Sequence, residues 1–174
     1  MQNLFPELAQ IKDGGLREKT AACIAEAIKR GGWKEADLDN IPFTLLVKDK
    51  SVPSLILHTR AVTQCAIKMA EIIAKSYPEY LKIDQDILIS GGLLHDVGKF
   101  LEYGKENGKV GKSKQGKILR HPISGAALAY ELGLPDEVVH IIACHSHEGD
   151  HVKRSIEAII ILHADFANFE ALGG

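Results

Sequence analysis

Apolar positions along this chain recur mostly three and four residues apart, and glycine and proline interrupt them at intervals. That spacing predicts helices joined by short loops. Leu16 to Arg30 reads as a helix that Gly31-Gly32 ends. Residues 33–50 read as irregular, with Pro42. Ser51 or Ser54 can cap the next helix, Pro53 suits its first turn, and Pro78 stops it near Tyr77. Asp84 caps a helix predicted to run through about Lys99. Pro122 opens one that ends at Gly133, Pro135 opens one to about His145, and the last spans about Val152 to Phe169. No stretch alternates convincingly between apolar and polar residues, so no strand is predicted and the fold class is all-α.

Composition narrows the function classes. The 174 residues are 45% hydrophobic and 25% charged, ordinary for a folded domain and unlike a disordered or collagenous chain. A net charge of −2 argues against a globally basic nucleic-acid binder, and 6% aromatics argue against a base-stacking platform. Cys23, Cys65 and Cys144 are odd in number and widely spaced, which predicts no disulfide framework. The first residues, Met1 to Glu7, lack the pattern of a signal peptide. The apolar run Ala158–Leu162 is far short of the roughly 20 residues that span a bilayer. A cytoplasmic setting without membrane contact is the expectation. The segment from Lys99 to Arg120 stands out, with seven basic and two acidic residues and four glycines. Its charge of +5 leaves −7 for the rest and predicts a cationic functional loop.

Eight histidines are present, and seven lie between residues 95 and 163. Several fall where a helix should be apolar. His58 heads a stripe formed with Val62, Cys65, Met69 and Ile72. His95-Asp96 closes the run from Ile87 to Leu94, whose Gly91-Gly92 pair invites close approach by another helix. His121 stands at a helix start beside the cationic loop. His145 continues the face of Val138 and Ile141. Asp165 projects from a face made by Ala158, Ile161 and Leu162. A buried lone carboxylate costs several kcal/mol unless it is paired or bound to metal. Five helices thus deliver His or Asp toward one core, as in dinuclear sites of helical bundles. Imidazole suits Fe, Mn, Co, Ni or Zn, and a bridging carboxylate favours a pair of ions.

The order His58, His95-Asp96, Asp165 in an all-helical chain resembles the HD-domain superfamily of metal-dependent phosphohydrolases. His95-Asp96-Val97-Gly98-Lys99 is similar to its HDxGK signature, and His58-Thr59-Arg60-Ala61-Val62 to its first histidine motif. His163-Ala164-Asp165 includes its closing aspartate. His121-Pro122-Ile123-Ser124-Gly125 and His145-Ser146-His147-Glu148 are similar to the added histidine motifs of its dinuclear branch. The resemblance covers about residues 52–170. It implies an HD-domain helical bundle over 51–174 with an N-terminal helical extension, 1–50, packed on the core.

Two departures bear on chemistry. Relatives that hydrolyse cyclic dinucleotides carry adjacent histidines and a GYP segment. Here Ser146 splits the histidines, and Gly149-Asp150-His151-Val152 replaces that segment. Ser54 stands where some three-metal members carry Glu. The resemblance therefore implies two divalent transition-metal ions, or one, and a substrate other than cyclic di-GMP. The part from Glu148 to Asp165 also resembles the HD region of a bacterial endoribonuclease, without its RNA-binding part.

The expected ligands are His58, His95, Asp96, His121, His145 and Asp165, with Asp96 as bridge. Asp96 and Lys99 are the expected catalytic residues, Lys99 as a donor to a phosphate oxygen. Arg60, Lys99, Lys117, Arg120 and His147 are the candidate substrate contacts. The expected activity is hydrolysis of a nucleotide or other small phosphate ester by a metal-bound hydroxide. The alternative is a dinuclear iron oxygenase of the same superfamily that cleaves a C–C or C–P bond. No stable nucleic-acid partner is expected. The helix Leu16–Arg30, with Trp33 or Phe43, could cover the pocket, form a homodimer face, or pack on the core.

Overall fold

The computed structural model describes residues 1–47 and 52–173. Seven helices carry the fold among the described residues: α1 (Gly14–Arg30), α2 (Leu55–Ser76), α3 (Gln85–Leu94), α4 (Lys99–Glu102), α5 (His121–Glu131), α6 (Asp136–Cys144) and α7 (Ile156–Ala171). The all-α class is therefore correct. Asp13, Ser54, Asp84 and Ser155 cap α1, α2, α3 and α7 by accepting from backbone N–H groups one turn on. The alternative cap, Ser51, lies outside the described residues.

The short helix α3 is the centre, packed by α1, α2, α6 and α7. Its two glycines allow this. A Cβ on Gly91 would stand 2.5 Å from the Ile141 side chain of α6, and one on Gly92 would stand 2.9 Å from Thr63 of α2. Leu16, Ile24 and Ala27 of α1 join the same apolar cluster as Leu94, Phe100 and Ile142. Helix α1 is thus packed on the core rather than over the pocket. Trp33 is buried there and donates from its indole N–H to the Phe100 carbonyl at 2.8 Å.

Four expectations need correction. The cationic segment is not an irregular loop: Tyr103–Glu106 (β1) and Lys109–Lys112 (β2) form an antiparallel hairpin. Asn107 and Gly108 turn it with φ of 49° and 78°, the two positive values of a tight two-residue turn. The helix predicted through Lys99 ends at Leu94. The backbone N–H groups of Val97, Lys99, Phe100 and Leu101 donate to the carbonyls three residues back, at Leu94, Asp96, Val97 and Gly98. The last helix starts at Ile156, because Ser155 is its cap. The buried face of α2 is His58, Thr59, Val62, Thr63, Ala66 and Ala70, whereas Ile72 is 66% exposed. Small residues face α3 and α7 there, and the larger Cys65 and Met69 pack at the margin.

Candidate metal centre

The tightened turn after α3 sets the chemistry. In this spacing residues three apart lie nearly above one another. Asp96 therefore meets Lys99, whose Nζ donates to Asp96 Oδ2 at 2.7 Å and to the Phe43 carbonyl at 2.7 Å. Lys99 is 9% exposed. It is neither a solvent-facing lysine nor one turn along the His95 face, and it is already engaged with the carboxylate. Gly98 makes the turn compatible with α5, since a Cβ there would fall 2.0 Å from the His121 carbonyl oxygen.

Helix α2 supplies His58, the turn supplies His95 and Asp96, α5 begins with His121, His145 follows α6, and α7 supplies Asp165. Their side chains meet as two groups that could each hold an ion: His58 with His95 and Asp96, and Asp96 with His121 and His145. Asp96 belongs to both and divides its oxygens between them. Oδ2 lies 3.5 Å from His58 Nε2 and 3.4 Å from His95 Nε2. Oδ1 lies 3.2 Å from His121 Nε2 and 3.6 Å from His145 Nε2. Asp165 Oδ1 closes the first group, 3.0 Å from His58 Nε2 and 3.9 Å from His95 Nε2.

The donor set fits a metal. His58 Nε2, His95 Nε2 and Asp96 Oδ1 are buried and make no aligned hydrogen bond among the described residues. Leaving buried polar atoms unsatisfied costs about 1–3 kcal/mol each, so the arrangement favours an occupant that takes their lone pairs. Three rings are fixed from behind through Nδ1: His95 to the Gly92 carbonyl at 2.7 Å, His145 to the Ile142 carbonyl at 2.8 Å, and His121 to Glu102 Oε2 at 2.9 Å. Such contacts place the N–H on Nδ1 and turn Nε2 inward as a ligand.

Electrostatics agree. Burial alone would raise the Asp96 carboxyl, but Lys99 and His95 hold it well below the usual carboxylate range. Burial pushes His121 down to about 4, against the pull of Glu102 and Asp96, so the ring is neutral near pH 7. Glu102 is itself buried, yet hydrogen bonding and charge from His121 lower it to about 2.

Above these residues lies a cavity of about 250 Å³. Asp96, His121, His145 and Asp165 form its polar floor. Leu45, Leu46, Tyr103, Phe166 and Phe169 supply apolar wall, and Lys112, Arg120 and His147 stand at the margin. Of the expected substrate contacts, Lys99, Arg120 and His147 line this cavity, whereas Arg60 and Lys117 do not. Arg60 Nε instead donates to the buried Glu7 at 3.1 Å, tying the N-terminal segment to α2. Part of the cationic character of the Lys99–Arg120 segment is also met by internal pairs. Lys105 pairs with Asp37, Lys112 lies 3.4 Å from Glu102, and Arg120 donates to Glu148 at 2.9 Å.

Sequence reasoning missed Glu102 and the apolar wall, and it named Phe43 as a possible pocket cover without its contact with His58. Nothing in the spacing marks Glu102, whose partner His121 is 19 residues away. Cys144 points away from the centre, its Sγ 3.5 Å from His140 Nε2.

Comparison with known proteins adds independent support. The HD domain model matches residues 55–166. The chain is 32% identical over 175 aligned positions to a dihydroneopterin 2',3'-cyclic phosphate phosphodiesterase of Methanocaldococcus jannaschii, covering 97% of this chain and 68% of that protein. It is 37% identical over 98 positions to ribonuclease Y of Borrelia garinii, covering 56% of this chain and 16% of that enzyme. No solved structure matches the chain.

Proposed function

The chain belongs to the HD-domain family of metal-dependent phosphohydrolases, and from that premise we propose that it opens a small phosphodiester carrying one phosphate and a flat heterocycle. One observation carries the reading: Asp96, shared by two ligand groups, lies with His121, His145 and Asp165 on the floor of a small pocket with a largely apolar wall. The named activity of the archaeal relative, on a pterin cyclic phosphate, belongs to the same chemical class.

His58, His95, Asp96 and Asp165 would hold one ion, and Asp96, His121 and His145 the other. When bound, such ions neutralise phosphate charge and lower the pKa of water. The protein supplies the rest. Asp96 presents one oxygen to each group, and Lys99 and the Nδ1 contacts hold these donors in place. Phe166 and Phe169 line the pocket, and a planar ring packed against them would exclude water from that side. The rim cations are matched by Glu102 and Glu148, so the entrance suits a single phosphate better than a triphosphate chain.

The test is turnover with Mn, Fe, Co or Ni on the 2',3'-cyclic phosphates of dihydroneopterin and of nucleosides, with nucleoside mono- and triphosphates alongside. Ring opening to a monoester is expected, with triphosphates poor. No release from any phosphate ester with any metal would refute the hydrolase reading. Oxygen uptake by the iron form without phosphoester cleavage would instead place the chain with the oxygenases of the superfamily.

A further inference from the structure

Four imidazoles face the centre, and three are held through Nδ1 by a carbonyl or carboxylate. His58 differs. Its Nδ1 is buried and has no hydrogen-bond partner among the described residues. Yet its ring must hold one orientation for Nε2 to face Asp96 and Asp165. The nearer of the two rings beside it is Phe43. Its ring centroid lies 4.6 Å from that of His58, with 33° between the planes, and Phe43 is fully buried.

Phe43 is itself fixed close to the start of α2. Its N–H donates to the Pro53 carbonyl at 3.1 Å, and Leu55 N–H donates to the Ile41 carbonyl at 2.7 Å. Residues 41–43 are thereby pinned against the chain just ahead of the helix that carries His58. The Phe43 carbonyl also accepts from Lys99, the lysine that holds Asp96. One residue, outside the part matched by the family model, thus packs on one ligand of the first group and accepts from the lysine that holds another.

We infer that Phe43 is the positioning residue of the first metal group, its ring substituting for the hydrogen bond that His58 lacks. This rests on the two-ion reading above. A stacked ring restricts imidazole rotation without drawing on Nδ1, and loss of an outer-shell support costs typically ~10–100-fold in metal affinity. The effect falls on the group of His58, His95, Asp96 and Asp165. The group of Asp96, His121 and His145 keeps its own supports, Glu102 and the Ile142 carbonyl.

The experiment is a stepwise Co(II) titration of the metal-freed full chain, read by visible absorption and elemental analysis. Phe43→Leu removes the flat ring and keeps an apolar side chain. Phe43→Met also removes the flat ring, but its unbranched, flexible side chain can refill the gap, so it serves as the second variant. Phe5→Leu is the control, because that phenylalanine is just as buried and pairs with no imidazole ring among the described residues. Circular dichroism of each metal-free variant checks folding. Both Phe43 variants are expected to bind one ion normally and the other at least about tenfold more weakly. The control should bind both as wild type does. Wild-type binding of both ions in a folded Phe43 variant would overturn the inference, as would equal weakening of both. Failure of wild type to bind two ions would instead remove the two-ion reading, and this inference with it.

Discussion

Lys99 offers the sharpest test of how the centre is held together. Its ammonium is the cation hydrogen-bonded to Asp96, a carboxylate only 2% exposed. Lys99→Met preserves the length of the apolar stem and deletes that charge. Breaking a buried ion pair by removing one partner costs about 3–5 kcal/mol, because the other charge is left uncompensated. For a chain of this size each kcal/mol shifts Tm by ~2–4 °C, so the metal-free variant should melt ~6–20 °C below wild type. Divalent ions at the same carboxylate replace the lost positive charge. Added metal should therefore narrow the gap to a small part of its metal-free value. The assay is differential scanning calorimetry at pH 8 with and without Mn or Co. A metal-free variant melting within ~2 °C of wild type would refute the account of Lys99, and so would a gap that metal leaves unchanged.

Further expectations concern the remaining supports. Asp96→Ala removes the residue common to both groups, so metal content should fall at both and turnover should vanish, while helicity measured by circular dichroism stays near wild type. Glu102→Gln weakens the carboxylate contact behind His121 and should lower affinity for one ion ~10-fold or more, read by metal titration. His121 is held near 4, below its unfolded value of about 6.5, so the folded chain binds fewer protons there. Its contribution is intact above about 6.5 and is lost as pH falls toward 4, and His121→Asn should flatten that part of the metal-free stability curve. Lys112→Ala should raise KM less than about fivefold, because the side chain is exposed and already faces Glu102, and a larger rise would make it a direct phosphate contact.

The clustered candidate ligands were legible because each breaks a rule its neighbours obey. His58, His95, His121, His145 and Asp165 sit among residues that bury apolar surface, and one-dimensional spacing is enough to see this. The Gly91-Gly92 pair likewise announced the close packing of α3 on α2 and α6. The hairpin was missed although Asn107-Gly108 is a strong turn signal, since Tyr-Gly-Lys-Glu and Lys-Val-Gly-Lys show no apolar alternation. The contact of Lys99 with Asp96 was not foreseen, because it depends on a change of backbone pitch after Leu94, which apolar spacing does not record. The contacts of Phe43 and Glu102 were invisible for another reason. Their roles exist only through partners distant in the chain, His58 and Lys99 for one and His121 for the other.

The central claim is that Asp96 joins two metal sites in one pocket. Anomalous diffraction from crystals of the Mn- or Co-loaded full chain tests it directly. Two peaks are expected, one among His58, His95, Asp96 and Asp165, the other among Asp96, His121 and His145. A single peak, or none at Asp96, would contradict the account.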